Sequence, residues 1–455
     1  MAERVVEAGT NMTTDGSSAS ERQRSEVIER VAMLLLAVLL SFSIAVLLAA
    51  RGNPAFFEFT RSLNKVIKGV QIGSFENPAV FAPVHDVWTE PGMTRLTGAQ
   101  TGGYLTHNGF LADHRWGVRI YGPAGDVVHE YPVDYFQLDP NGPPPGKGDA
   151  PHATILMPDG SALANWDEGN RLARIDACGD VVWAREGHYH HSIEFADDGS
   201  IWTWKSGGDG AYVNQQLVRI DSETGQELEN ISMLDDVLPS SPYAARLALG
   251  LSGHTYVAKD NGRDLLHPND VDPLPARLAD AFPQFPVGSL LVSIRNPNFV
   301  GVIHPRTHEF LWWSNGPWVR QHDPEWLPDG TIAVFNNNNV MAEEHRGTGW
   351  TPGANVANII KVVPDFAQDH LVTEWPTERF NTIIQGKLDP LPNGNILVTV
   401  PQEGRVFEST PDGRTVMNVN NRVADDRQGR ITETNYYPAD YFTVDFSSIQ
   451  CSERI

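Results

Sequence analysis

Cysteine is almost absent: Cys178 and Cys451 are the only two in 455 residues, which excludes a disulfide framework and cysteine-rich metal sites. One disulfide or two free thiols remain open. Positive charge is scarce too. Lysine and arginine total 34 against 57 acids, and the net charge of −23 opposes a nucleic-acid backbone while staying neutral toward small organic substrates. No glycine-rich loop runs into Lys-Ser/Thr, so nothing is built to cradle a nucleotide phosphate and no cofactor is expected. A His-Glu-x-x-His metal motif is missing as well, and no metal is expected.

Glycine, proline and tryptophan are plentiful, at 40, 32 and 12, which favours an all-β chain of many turns with aromatic strand positions. One stretch departs from that pattern. Val31 to Ala50 carries no charge, and its length would cross a hydrocarbon core of about 30 Å as a helix. It reads as a transmembrane helix, with a cleaved signal peptide as the rival; Leu48 fits an A-x-A cleavage site poorly. Arg4, Arg22, Arg24 and Arg30 on one side face Arg51, Arg61, Lys65 and Lys68 on the other, so charge does not orient it. Residues 1–30 read as a disordered tail, 51–90 as a linker, 91–420 as the main domain and 421–455 as a closing segment or tail. The main domain is then most simply the translocated, periplasmic part.

Beyond about residue 95 a two-strand phrase recurs six times, from Gly117, Arg171, Gln216, Phe299, Asn358 and Gly404. The starts lie roughly 40 to 80 residues apart, the period of four-stranded blades with unequal loops, and six such units closing on themselves make a six-bladed β-propeller. A second phrase precedes these hairpins. "HATILMPDG", "HSIEFADDG" and "HDPEWLPDG" place His152, His191 and His322 seven residues before an Asp-Gly turn, and a stretched copy holds His267 ahead of the strand ending at Arg295. Equivalent positions in a propeller lie on one ring around the channel, so histidines 39 to 170 residues apart converge. The Pro-Asp-Gly turns themselves are structural, because glycine supplies their positive φ.

The phrases "HHSIEF", "LLHPNDV…SLLVSIRNPN" and "RQHDPEWLPDGTIAVFNN" together resemble the PAPS-independent arylsulfotransferases, over about residues 90 to 420. The resemblance implies a propeller acting outside the cytoplasm that moves a sulfuryl group from an aryl sulfate to a phenol through a sulfated histidine. Carried over by motif, His322 is the nucleophile, Arg295 and His267 group around the sulfate, and His191 completes the site. His152, Asn336 in "FNNNNV" and Trp312 in "LWWSNGPW" are candidates for holding the substrate. An imidazole nucleophile must be neutral, so activity is expected to respond to His322 protonation between pH about 5 and 8.

Two other classes stay in view. One is a non-catalytic, membrane-anchored propeller that binds a protein partner through its tryptophan- and asparagine-rich loops. The other is a metal-dependent hydrolase built on the converging histidines, which Arg295 beside a cation disfavours.

Overall fold

The computed structural model describes residues 81–451 except 86, 113–114, 134, 139–149, 167–169, 208–214, 251–265, 340–355, 368–371 and 383, and the side chains of 136 and 137. The expected tail, the membrane span at 31–50 and most of the linker lie outside those residues. Among the described residues no helix is long and apolar enough to cross a membrane.

Alternating apolar residues between Asp-Gly turns give antiparallel strands, and these sort into six sheets of four or five strands plus a small three-stranded sheet. Each large sheet starts with an inner strand: β1 (Thr154–Leu156), β2 (His188–Phe195), β3 (Pro268–Pro273), β4 (His322–Trp326), β5 (Lys387–Pro390) and β6 (Ile431–Tyr437). Successive inner strands touch, and β6 returns to β1, so the sheets form a closed ring of six blades. The six hairpins read from the sequence are the third and fourth strands of the six blades, counted from the inner strand; "RLARIDACGDVVWAR", for example, spans the strands Arg171–Ile175 and Val181–Glu186. At the turns, Gly160 and Gly330 adopt φ near +81°, while Asp159 and Asp329 accept hydrogen bonds from Ser161 and Thr331 two residues on.

What holds the ring is a separate apolar cluster in each of the six gaps. Leu163 and Leu172 meet Ile193 and Val218 in one gap, and Trp204 and Leu217 meet Val292 and Phe299 in the next. Further round, Val300 and Trp312 meet Ile332 and Val334, then Phe335 and Ile359 meet Val398 and Phe407. Leu105 and Tyr121 meet Val406 and Val419, and Val118 and Ile120 meet Trp166 to complete the circle. Each sheet buries its apolar faces only against its neighbours, so no blade is stable alone.

Closure uses both ends of the described chain. Strand β6 pairs with Tyr104–Phe110, so the far end supplies the inner strand of the blade that the near end begins. Within the segment after residue 420, Ile431–Tyr437 makes this pairing. Cys178, in the turn after Arg171–Ile175, is bonded to Cys451, which settles the open choice in favour of a disulfide. The bridge spans 273 positions and pins the end of the described chain to the neighbouring blade.

Replacing both cysteines by serine is expected to lower stability by about 2–4 kcal/mol, as for other bridges closing long loops. Urea unfolding of the two forms measures it, and midpoints that coincide would show that β6 pairing alone secures the ring.

Candidate active site

Inner strands are where the ring comes closest to its axis, and their regular alternation is broken at one level. Register shifts fall at His190/Ile193 in β2, Pro268/Asp270 in β3 and His322/Pro324 in β4. Next to them His191, His267 and Asp323 have φ of 62°, 49° and 46°, and Gln385 just before β5 has 62°. Left-handed conformations at non-glycine residues each cost on the order of 1 kcal/mol or more, and bulges re-aim side chains. Four consecutive blades thus spend backbone strain within one residue of the same repeat position, and His191, Asp323 and Gln385 among them line one cavity.

That cavity is lined by His152, His191, His322, Gln385 and Lys387, among others, with about 40 Å³ free for water-sized groups, room for about three waters. The rings of His152 and His191 are 4.2 Å apart between centroids, and those of His191 and His267 are 4.9 Å apart. Arg295 follows the strand Leu290–Ile294, and its backbone N–H donates to the His267 carbonyl at 3.0 Å. The repeat's histidines and Arg295 therefore meet across four blades.

Hydrogen bonds assign the imidazole protons. The Asn337 side-chain N–H₂ donates to the carbonyls of Thr382 (3.1 Å) and Gln385 (2.7 Å), which turns its oxygen toward His322. That oxygen lies 2.6 Å from His322 Nδ1 and can only accept, so the proton is on Nδ1. Nε2 then carries a lone pair, met by the Gln385 backbone N–H at 3.3 Å. Burial, then the nearby Arg295 charge, lowers the His322 pKa to about 3, against the Asn337 bond that works to raise it. A second chain runs from Gln215, whose oxygen accepts from His190 Nε2 at 2.9 Å. His190 Nδ1 must then accept from His191 Nδ1, 2.7 Å away, and His191 is left with a bare Nε2. Burial, followed by His152 and His190, holds the His191 pKa well below the ordinary histidine value.

Carboxylates crowd the same channel. Glu194 of β2, Asp323 of β4 and Glu433 of β6 surround the Lys387 ammonium of β5, the last two at 3.1 and 3.3 Å. Burial alone would lower the lysine pKa, but Asp323, Glu194 and Glu433 outweigh it and raise it well above the ordinary value. Burial raises Asp323 to about 6, Asp389 to about 7 and Glu433 to about 8.

Several expectations need correction. Trp312 is 1 % exposed and packs in an inter-blade core with Val300 and Ile332, because the period of its strand turns it inward. Asn336 spends its oxygen on the N–H groups of Val319 and Asn338 and its nitrogen on Asn358, so it shapes the loop and does not line the cavity. Beside His322, Asp323 accepts from the Leu388 N–H and faces Lys387, tying β4 to β5. His304 and His308, the one His-x-x-x-His spacing in the chain, sit at a turn where His304 Nδ1 accepts from two backbone N–H groups. Sequence reasoning missed Asn337, one position past its chosen asparagine, as well as Gln385 and the His190–Gln215 pair. With the His322 pKa near 3, the ring is already neutral across pH 5 to 8, so its own protonation falls below that window.

A model of the arylsulfotransferase (ASST) family matches residues 153–422. This chain belongs to the arylsulfotransferase family. The match spans β1 to β5 and takes in His191, His267, Arg295, His322 and Asn337. No curated protein matches the chain. Among solved structures, a protein of unknown function from Bacteroides caccae is 13% identical at TM-score 0.47, covering 74% of this chain and 99% of its own. Virginiamycin B lyase from Staphylococcus aureus is 12% identical at TM-score 0.41, with 75% and 98% covered. Scores this low carry no argument about activity. The ring of blades rests on the sheets themselves.

Nitrogen-15 NMR of the histidine-labelled protein is expected to show His322 as the neutral Nδ1–H form throughout pH 5 to 8. The unfolded ring titrates near its ordinary 6.5 and the folded one near 3, so His322 favours folding above that range and its contribution is lost as pH falls from about 6.5 toward 3. Asn337→Ala should leave the ring with mixed tautomers; an unchanged spectrum would remove Asn337 as the group that sets the proton.

Proposed function

We propose that this family member transfers a sulfuryl group from an aryl sulfate to a phenol, with His322 as the nucleophile. The observation that carries the reading is the orientation of His322: Asn337 holds the proton on Nδ1, leaving the Nε2 lone pair beside the cavity and the Arg295 charge. Nε2 attacks sulfur, the sulfur–aryl oxygen bond breaks, and the electron pair leaves on the phenolate. Arg295, always charged and forked, is suited to the sulfate oxygens and to that developing anion, with His267 adjoining it. The ring of the N-sulfo intermediate is cationic, so the Nδ1–H bond to Asn337 strengthens as the step proceeds, which favours the transition state over the ground state.

In the second half the acceptor phenol gives its proton to His191 Nε2 as its oxygen attacks sulfur. The nitrogen–sulfur pair returns to His322, and the proton passes on to the released phenolate. His191 suits a base better than a donor, because its one proton is committed to His190. His152 accepts from the His191 backbone N–H at 3.3 Å and forms the wall beside it. The reading also places the ring outside the cytoplasm, held by an apolar helix at 31–50; the Cys178–Cys451 bridge supports an oxidising compartment.

Incubation with a chromogenic aryl sulfate and a phenol tests the chemistry. His322→Ala should lose more than about 10³-fold in kcat, and Arg295→Gln about 10²–10³-fold. Without acceptor, the wild type should gain the mass of one SO₃ on the peptide holding His322. Turnover retained by His322→Ala sinks the nucleophile; no turnover over a broad donor panel favours a binding role instead.

A further inference from the structure

The carboxylates around Lys387 are more than that one ammonium can satisfy. Lys387 reaches Glu194, Asp323 and Glu433. It makes no such contact with Asp270 of β3, which is 2 % exposed and lines the cavity, and whose Oδ2 is buried without a hydrogen-bond partner. A carboxylate oxygen left so costs several kcal/mol unless a charge meets it.

Geometry supplies the missing partner's size. One oxygen from each of Glu194, Asp270 and Asp323 can be chosen so that all lie within 4.8 Å of one another. Calcium–oxygen bonds are about 2.3–2.6 Å long, so oxygens of one calcium shell stand up to about 5 Å apart, and small side-chain movements bring all three carboxylates to one ion. Magnesium demands about 2.1 Å and a strict octahedron, and zinc prefers imidazole and thiolate ligands to a set made only of carboxylates. A carboxylate oxygen has two acceptor directions, so Glu194 and Asp323 can face Lys387 and an ion together.

We propose that the channel binds one calcium ion through Glu194, Asp270 and Asp323, beside the histidines. The ion adds positive charge to a cavity that Asp270, Asp323 and Glu433 would otherwise make hostile to an anion. Its coordination joins β2, β3 and β4, the three blades that present His191, His267 and His322. The inference stands on the carboxylates and not on the transfer reading. The expectation of no metal was drawn from histidine and cysteine motifs, which are blind to an all-oxygen site.

The full chain, freed of metal by chelator and dialysis, should be titrated with calcium chloride by calorimetry at pH 7.5, and its thermal unfolding followed with and without calcium. One calcium per chain and a raised midpoint are expected, with magnesium at least tenfold weaker. Asp270→Asn should fold, with a metal-free midpoint at or above the wild type's, yet bind calcium at least tenfold more weakly and gain nothing from it; Glu194→Gln should weaken binding likewise. His322→Ala should bind as the wild type does, whatever becomes of its turnover. No heat and no shift for the wild type up to about 5 mM calcium, beyond the weak limit of about 10⁻³ M for extracellular calcium modules, would overturn the site. Binding by Asp270→Asn equal to the wild type's would do the same.

Discussion

Ring closure is the constraint on which everything else in this molecule depends. Strand β6 pairs with a strand more than three hundred residues earlier in the chain, and the sixth inter-blade cluster exists only once that pairing is made. Until then the inner strands have no fixed axis to face, and the groups that converge on it have no common site. His322 illustrates the dependence: it belongs to β4, but Gln385 just before β5 meets its Nε2, and Asn337, which meets its Nδ1, is itself anchored on Thr382 and Gln385. Precision at one imidazole is therefore a property of two adjoining blades.

The second consequence of closure is a low-dielectric channel where like-charged groups are forced together. Proteins normally avoid such crowding, because a buried carboxylate without a partner loses its hydration for nothing. Here β2 to β6 each contribute at least one acid, and a single lysine is their one close ammonium partner among the described residues. Such a channel cannot keep every acid ionised without counter-charge, and protons or a cation must make up the difference. The histidine end obeys the opposite rule: burial, aided by Arg295 at His322 and by neighbouring imidazoles at His191, disfavours added protons, and both rings stay neutral. The two ends of one small cavity are thus poised in opposite electrostatic senses.

Much of this was legible in the sequence where the signal was local or repeated. Alternating apolar residues around short turns located six hairpins, one in each blade, and the shared phase of His152, His191, His267 and His322 brought them to one ring. What escaped was decided across blades. Trp312 and Trp313 are neighbours in sequence, and only the burial of one strand face separates the core residue from the half-buried one that packs on Phe366. The "NNNN" run drew notice for its amides, but whether Asn336 or Asn337 meets His322 depends on where the strand ends and what Thr382 and Gln385 offer. The acids did leave a trace: Glu194, Asp270, Glu325 and Asp389 each fall three residues after the repeat position held by His191, His267, His322 and Gly386. It reads locally as the polar half of a strand, and only ring closure turns that half inward.

The proton assignments set the two buried histidines apart by their partners. An isolated neutral imidazole populates two tautomers, and a nucleophile of the wrong tautomer presents an N–H where a lone pair is needed. Asn337 removes that ambiguity for His322, and the Gln215–His190 chain removes it for His191, each through an amide whose oxygen can only accept. The results differ in what stands behind the ring. The His322 proton rests on an amide oxygen that gains strength as the ring becomes cationic, which suits a group that forms a bond and carries charge for a time. His191 rests on another imidazole, which can take up its proton if Nε2 acquires one, so charge can move outward along the chain toward Gln215. One histidine is built to hold a positive charge in place and the other to pass it on, a division that follows from their partners even though both come from the same repeat position.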